Sequence, residues 1–132
     1  MKRSVALLLI ITTLSACSLL YSYDDNIETR VRQWVEEENY ITALDKINHI
    51  SPTHPNDTAI QKTRKKILQQ LKKLEQQTIK ASNVLAAKGE WLLALKRIDE
   101  AEAKLVNTDK LNVHKQKLLV QRNKILQVYE YN

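Results

Sequence analysis

The stretch KGEWLLALKRIDEA, residues 88–101, contains Gly89, the only glycine among 132 residues. The chain also has two prolines and no phenylalanine. Sheets and barrels need turn residues at every reversal of the chain, whereas the abundant Leu, Ala, Lys, Gln and Glu favour helix. We therefore predict an all-α fold in which Gly89 forms the turn between two helices, because glycine adopts a positive φ without strain.

Apolar residues recur at helical spacing and divide the chain into about five predicted helices. The predicted ranges are 25–38, 40–50, 57–88, 90–106 and 109–129. Pro52 and Pro55 end the second helix, since proline lacks a backbone donor and disfavours helix at the preceding residue. No breaker follows until Gly89, so the third predicted helix is unusually long.

The apolar residues of the long helix and of the last helix predict which faces point inward. In the long helix they lie close to a heptad, with Arg64 and Thr78 as exceptions. Its heptad residues are Ile60, Ile67, Leu71, Leu74, Ala81 and Leu85. We predict that Ile67, Leu71 and Leu74 pair with another helix, within the chain or between chains. In the last helix the residues predicted to point inward are Leu111, Leu118, Ile125 and Val128.

The chain also contains an internal repeat. Residues 39–47, NYITALDKI, align with residues 90–98, EWLLALKRI, at an offset of 51 residues. Self-similarity at such a period indicates stacked helical hairpins. The residues predicted to pack each hairpin are Tyr40, Ala43, Gly89, Trp91 and Ala94. The aromatic residues, together with Trp34, are expected to fill space beside the alanines, which let two helices approach closely.

These positions resemble the second half of a tetratricopeptide (TPR) repeat. The matching residues of the second copy are Gly89, Trp91, Ala94, Ile98 and Ala101. Those of the first copy are Tyr40, Ala43, Ile47 and Ile50, with Glu38 in the glycine position. The repeat spacing is longer than the family's period of about 34 residues. The resemblance implies TPR-like hairpins over residues 25–132 and a binding module rather than an enzyme; the alternative is an irregular helical bundle.

The N-terminus has the pattern of a secretory signal. Met1-Lys2-Arg3 is basic, an apolar run follows over residues 5–11, and small residues precede Cys17. This pattern indicates a cleaved signal peptide, and the apolar run is shorter than the ~20 residues of a membrane-spanning helix. The expected signal segment is residues 1–16.

Leu14-Ser15-Ala16-Cys17 resembles the lipobox of bacterial lipoproteins. The resemblance implies that Cys17 becomes the first residue of the mature protein and carries a lipid that anchors it to the membrane. Residues 17–24 would then be the lipidated end and a short tether. Ser18, rather than an aspartate, implies the outer membrane, with the protein facing the periplasm. The alternatives are an ordinary signal peptide with an incidental cysteine, or an uncleaved anchor.

Little in the sequence points to catalysis or a cofactor. One glycine excludes a glycine-rich phosphate loop, and a single cysteine excludes an internal disulfide. His49 and His54 could hold a metal ion with Asp57, but spacing across a proline turn fixes no geometry, so solvated histidines are the expectation. The three acids of residues 36–38 point in different directions along a helix. We predict a protein that is not an enzyme and has no metal or cofactor.

Charge is distributed unevenly along the chain. The net charge is −4 over residues 24–50, +6 over residues 62–80 and +3 over residues 108–132. The candidate partner-binding residues of the basic stripe are Lys65, Lys66, Lys72 and Lys73. Such a stripe attracts an acidic protein or an anionic polymer of the envelope, while nucleic acid is not expected to meet an exported lipoprotein. The alternative is a solvated face of the long helix.

Together these features predict a membrane-anchored lipoprotein that acts as a non-catalytic adaptor or assembly factor for a protein partner of the bacterial envelope. Two alternatives stay open. One is a structural lipoprotein that self-associates through coiled-coil-like pairing of the long helix. The other is a binder of an anionic envelope polymer.

Overall fold

The computed structural model describes residues 26–130, which form five α-helices and no strand within that range. The helices are α1 (Ile27–Glu36), α2 (Tyr40–Asn48), α3 (Asp57–Ala87), α4 (Trp91–Glu102) and α5 (Asp109–Glu130). The predicted all-α class, with one unusually long helix, is confirmed. The predicted signal segment, the tether and Cys17 lie outside the described residues.

The chain divides into two compact units, residues 1–67 and residues 68–132. The described part of the first unit contains α1, α2 and α3 as far as Ile67. The second unit contains the rest of α3, followed by α4 and α5. Within the first unit α1 packs against α2, and within the second unit α4 packs against α5.

In the first unit, α1 ends in a Schellman turn. The N–H of Asn39 donates to the carbonyl oxygen of Trp34 at 2.7 Å, and the N–H of Glu38 donates to that of Val35 at 3.1 Å. These bonds satisfy carbonyl groups that a helix end leaves open. The turn places Glu38 at a φ of 56°, the left-handed region that costs a residue with a Cβ roughly 1 kcal/mol.

In the second unit, α3 ends in the same turn. The N–H of Glu90 donates to the carbonyl oxygen of Leu85 at 3.0 Å, and the N–H of Gly89 donates to that of Ala86 at 2.9 Å. Gly89 has a φ of 78°. A Cβ added at Gly89 would meet no atom within 4 Å. Glycine is therefore favoured here by its backbone conformation and not by crowding.

Buried positions repeat at the same offset of 51 residues, each within its own unit. The pairs are Ile27 and Thr78, Val31 and Ser82, Ala43 and Ala94, Ile47 and Ile98, Ile50 and Ala101, His54 and Leu105, Ile60 and Leu111, and Ile67 and Leu118. Each unit thus has the same internal plan of helix, Schellman turn, second helix, loop and third helix. The third helix of the first unit is the beginning of α3, and its continuation is the first helix of the second unit.

The heptad pattern misplaces the buried face at the end of α3. Thr78, a heptad position without an apolar side chain, is buried, but the next buried residues are Ser82 and Ala86, each one residue after the heptad positions Ala81 and Leu85, which are only half-buried. A straight α-helix has 3.6 residues per turn, so a seven-residue pattern drifts by ~20° per heptad around it. Over the length of α3 this drift moves the buried face away from the heptad positions and onto the residues that the 51-residue repeat specifies.

The end of α4 and the last turns of α5 also differ from the predictions. α4 ends at Glu102 rather than near residue 106, because the chain turns there and buries Leu105 in the second unit. In α5, Leu111 and Leu118 are buried as predicted. The prediction that Ile125 and Val128 point inward is wrong, since both are exposed; the second unit covers α5 only along its first part.

Candidate interaction surfaces

The second unit carries an apolar groove between the first turn of α4 and the last turns of α5. The groove has a volume of about 420 Å³ and is lined by Gly89, Glu90, Trp91, Leu92, Leu93, Arg122 and Leu126. We call these residues the α4–α5 groove. Leu92, Leu93 and Leu126 are 78%, 53% and 52% exposed. Removing such apolar side chains from water lowers the free energy, so the groove is a candidate binding surface for a partner.

Each exposed leucine of the α4–α5 groove has a basic residue one helical turn away. The pairs are Leu92 with Lys96, Leu93 with Arg97, and Leu126 with Arg122. Residues four apart lie on the same face of a helix, so the apolar surface is bordered by positive charge. Glu100 lies 4.0 Å from the side chains of both Lys96 and Arg97. Exposed ion pairs at this distance contribute little free energy, so the side chains of Lys96 and Arg97 stay accessible to a partner.

A second groove of about 520 Å³ lies in the same unit, between α3 and the segment that joins α4 to α5. It is lined by Leu68, Leu71, Lys72, Glu75, Leu105, Val106, Asn107, Asp109 and Lys110. At its edge, Nζ of Lys110 donates to Oε1 of Glu75 at 3.1 Å and links α5 to α3. Lys72, one of the predicted partner-binding residues, therefore lies beside a partly apolar surface.

All four predicted partner-binding lysines are exposed. Lys65 and Lys66 belong to the first unit, and Lys72 and Lys73 belong to the second. Within each unit the two neighbouring lysines point into solvent from α3. This exposure suits binding of an anionic group, and it equally suits an ordinary solvated helix face.

Most of the residues predicted to pair the long helix with another helix are buried within their own units. Ile67 is fully buried in the first unit, Leu71 is 7% exposed in the second, and Leu74 is half-buried. Ile67 and Leu71 therefore do not offer an apolar surface to a second copy of the chain.

The predicted hairpin residues lie at equivalent places in the two units. Tyr40 and Trp91 are the first residues of α2 and α4 and are half-buried. Ala43 and Ala94 are fully buried one turn later, where a larger side chain would hold the helices apart. Trp34 is half-buried near the end of α1. Gly89 lies in the turn before α4.

A polar link between the second and third helices also recurs at the 51-residue offset. In the first unit, Nε of Arg64 donates to Oδ1 of Asn48 at 3.3 Å. In the second unit, Nζ of Lys115 lies 2.5 Å from Oδ1 of Asp99 and 3.2 Å from Oε2 of Glu102. Hydrogen bonds to Asp99 and then to Glu102 raise the pKa of Lys115. These side chains are engaged within their units, which assigns them to holding the fold.

His114 makes a hydrogen bond inside the second unit. Its Nε2 lies 2.9 Å from Oγ of the buried Ser82, and the Ser82 hydroxyl donates to the carbonyl oxygen of Ile79 at 3.0 Å. The imidazole therefore supplies the N–H of the His114–Ser82 bond. Burial, and then the nearby charge of Lys117, lower the pKa of His114.

The expectation of solvated histidines is wrong for His54. His49 is exposed, but His54 is buried in the loop after α2, where its Nδ1 accepts a hydrogen bond from the N–H of Asn56 at 3.1 Å. The loop equivalent in the second unit buries Leu105, so His54 fills the place of an apolar side chain. Within residues 26–130 no group of three or more His, Cys, Asp or Glu side chains is arranged to hold a metal ion.

Gly89 and Trp91 of the α4–α5 groove were predicted only as hairpin-packing residues, and its other residues were not predicted as a site. The signal that could have found them is the repeat itself. Arg122 and Leu126 stand 51 residues after Leu71 and Glu75, which lie on the part of α3 that packs within the second unit. The 51-residue offset applied to α5 therefore predicts that its last turns form a surface suited to contact with another helix.

No helix in residues 26–130 combines the length and the apolar character needed to cross a membrane. Comparisons of the chain with protein-family models, with curated proteins and with solved structures found no match. The surfaces of the two units are therefore the basis for its proposed function.

Proposed function

We propose that the protein is a non-catalytic adaptor or assembly factor that holds a protein partner of the bacterial envelope. The observation that carries this proposal is the α4–α5 groove, an exposed apolar surface bordered by basic residues on a repeated hairpin scaffold. Exposed apolar patches with polar rims mark interaction sites. The hairpins, closed by buried alanines and Schellman turns, also support a TPR-like character, and repeats of that kind bind partners.

The proposal includes anchoring to the outer membrane through a lipid on Cys17. Its support is the resemblance of residues 14–17 to a lipobox behind a basic and apolar N-terminus. Replacing the cysteine, as Cys17→Ser, should abolish incorporation of a labelled fatty acid and release the protein from the membrane fraction. Labelling that persists in the Cys17→Ser variant contradicts the anchor.

Amine-reactive crosslinking in the native cell tests the adaptor function. We expect one reproducible product that joins the full-length chain to a second envelope protein, identified by mass spectrometry of the crosslinked peptides. The Cys17→Ser variant is the control, since release from the membrane should reduce that product. An adaptor role is contradicted if the chain yields no product with another protein.

A second candidate is binding of an anionic envelope polymer, for which the exposed cations Lys65, Lys66, Lys72 and Lys73 are available on α3. Reversing these charges should then abolish sedimentation of the protein with purified cell wall. Self-association through the long helix has less support, because Leu71 is buried in its own unit.

A further inference from the structure

The apolar stripe of α5 is buried along its first part and exposed along its last turns. Leu111, Leu118 and Ile125 follow one another at seven-residue intervals, and Tyr129 follows Ile125 by four, so the four side chains share one face of the helix. Leu111 and Leu118 are buried, whereas Ile125 and Tyr129 are exposed. The same face therefore changes from covered to uncovered within one helix.

On α3 the equivalent stripe, 51 residues earlier in the chain, stays covered beyond its first part. Ile60 and Ile67, 51 residues before Leu111 and Leu118, are buried in the first unit. Farther along, Thr78, the equivalent of Tyr129, is buried within the second unit, and Leu74 is half-buried. The groove residues of α5 lie beside this stripe, and their equivalents on α3 are also covered: Leu71, which corresponds to Arg122, is buried, and Glu75, which corresponds to Leu126, is half-buried. The last turns of α5 thus repeat a surface that, on α3, is packed within the second unit. This continuity with an existing helix-packing interface indicates that a helix fits there.

The charge around the α4–α5 groove indicates the chemistry of that helix. Lys96, Arg97 and Arg122 border the three exposed leucines, and Lys88 precedes the groove. The acids nearby are Glu90, in the groove lining, and Glu100, one turn from Lys96. The border is therefore net positive and is complementary to a helix with acidic flanks.

A second copy of this chain does not meet these requirements. Residues 108–132 carry a net charge of +3, so pairing two α5 helices through this face would bring like charges together. The acidic part of the chain is residues 24–50, with a net charge of −4, but most of the apolar residues of α1 and α2 in this part are already buried in the first unit. Neither α5 nor the acidic part of the chain therefore fits the groove, which favours a helix of another protein as the occupant.

We propose that the α4–α5 groove binds an amphipathic helix of a partner protein, with an apolar stripe that contacts Leu92, Leu93 and Leu126 and with acidic flanks that face Lys96, Arg97 and Arg122. This inference rests on the proposed adaptor function and names the class of partner segment. Helices bind in such grooves through apolar residues at i, i+3 or i+4, and i+7. Here the acidic residues set the orientation of the helix, and the burial of the leucines contributes to the affinity.

Site-specific photocrosslinking in the native cell tests the groove in the full-length chain. A photoreactive phenylalanine analogue is placed at Leu126 in one variant and at Leu92 in another. Val113 serves as the matched control, because it is an apolar residue of α5 that is 72% exposed outside the groove. A fourth variant carries the analogue at Lys72, on the other groove of the second unit. We expect products at Leu126 and Leu92 that are absent at Val113.

The crosslinked peptide decides the outcome. Attachment to a segment of another protein with an apolar helical stripe and acidic flanks supports the proposal. Attachment to a second copy of this chain, or to a segment without that pattern, overturns it. Products from Lys72 alone would support the adaptor function but would overturn the proposal that the α4–α5 groove binds the partner helix. If none of the four positions gives a product, both the groove and the adaptor function are overturned.

Charge reversal provides a second, independent measurement. The double substitution Arg97→Glu with Arg122→Glu should lower the yield of the Leu126 crosslink about tenfold, since like charges across an interface cost free energy. Lys124→Glu is the control, because Lys124 is an exposed base on the opposite face of α5. Equal loss of yield in the Lys124→Glu control would show a general charge effect and would overturn the proposed orientation.

Discussion

Glu38 in the first unit and Gly89 in the second occupy the same place in the same turn. Both have a positive φ, and both turns are closed by the same two backbone hydrogen bonds. One turn later, Ala43 and Ala94 are fully buried. A glutamate tolerates the left-handed conformation in one copy, so the packing of the helices imposes the turn, and glycine only lowers its conformational cost.

The two units differ in the chemistry of their first helices. The first unit buries Ile27 and Val31 at positions where the second unit buries Thr78 and Ser82. Ser82 in turn bonds His114. The same backbone plan therefore holds an aliphatic contact in one unit and a polar, titratable contact in the other. The second unit should respond to pH through His114, whereas at the equivalent place in the first unit the side chain of Val31 cannot form a hydrogen bond.

The largest expected effect tests whether equivalent core positions contribute equally. Ile47 and Ile98 are buried at the same place in the two units. We expect Ile47→Ala and Ile98→Ala each to lower the free energy of unfolding by about 2–4 kcal/mol, because each leaves a cavity in a packed core. Urea unfolding, monitored by the fluorescence of a single tryptophan, measures each change in the free energy of unfolding. In a Trp34→Phe background Trp91 reports on the second unit, and in a Trp91→Phe background Trp34 reports on the first.

Leu92→Ala is the control for this comparison, since Leu92 is 78% exposed. It should change the free energy of unfolding by less than about 0.5 kcal/mol. If Ile98→Ala were as mild as Leu92→Ala while Ile47→Ala were severe, the two units would not share one core plan.

The helices could be predicted from the sequence because their boundaries rest on local signals. Prolines, Gly89 and the periodic apolar residues placed the five helices, and the aligned Tyr40 and Trp91 segments located the second helices of the hairpins. The buried face at the end of α3 could not be predicted from a heptad, since the drift of a straight helix moves it from Ala81 and Leu85 to Ser82 and Ala86. The α4–α5 groove depends on which turns of α5 stay uncovered, and that is decided by contacts distant in sequence.

An intermediate effect is expected from the polar contact of the second unit. Ser82→Ala removes the acceptor of the His114 N–H inside a partly buried site, so the free energy of unfolding should fall by about 1–2 kcal/mol. The Trp91 signal should report the loss. If Ser82→Ala is neutral, the hydrogen bond to His114 does not stabilise the second unit.

The pH dependence of the second unit sharpens the same contrast. The pKa of His114 is lowered from its ordinary 6.5 in the folded protein, so the unfolded chain takes up the proton first as the pH falls. His114 therefore contributes no penalty above pH 6.5, and stability is lost as the pH falls from 6.5 through the lowered pKa. His114→Gln should remove this part of the pH dependence seen by Trp91, whereas His49→Gln should retain it. Equal pH profiles for wild type and His114→Gln would contradict the assignment.

The smallest expected effects exchange the turn residues themselves. Gly89→Ala should cost about 1 kcal/mol, because alanine pays for a positive φ that glycine adopts freely. Glu38→Gly should stabilise the first unit by about 0.5 kcal/mol, since it relieves the same strain but adds freedom to the unfolded chain. Urea unfolding with the Trp34 and Trp91 reporters measures each change in its own unit.

Glu37→Gly is the matched control for Glu38→Gly. Glu37 precedes Glu38 and has an ordinary φ of −79°, so glycine brings no relief there and should destabilise by about 0.5–1 kcal/mol. Opposite signs for two adjacent glutamate-to-glycine changes would tie the effect to the left-handed backbone of the turn. Two substitutions of the same sign would mean that Glu38 is not strained, and the equivalence of its turn with that of Gly89 would then rest on hydrogen bonds alone.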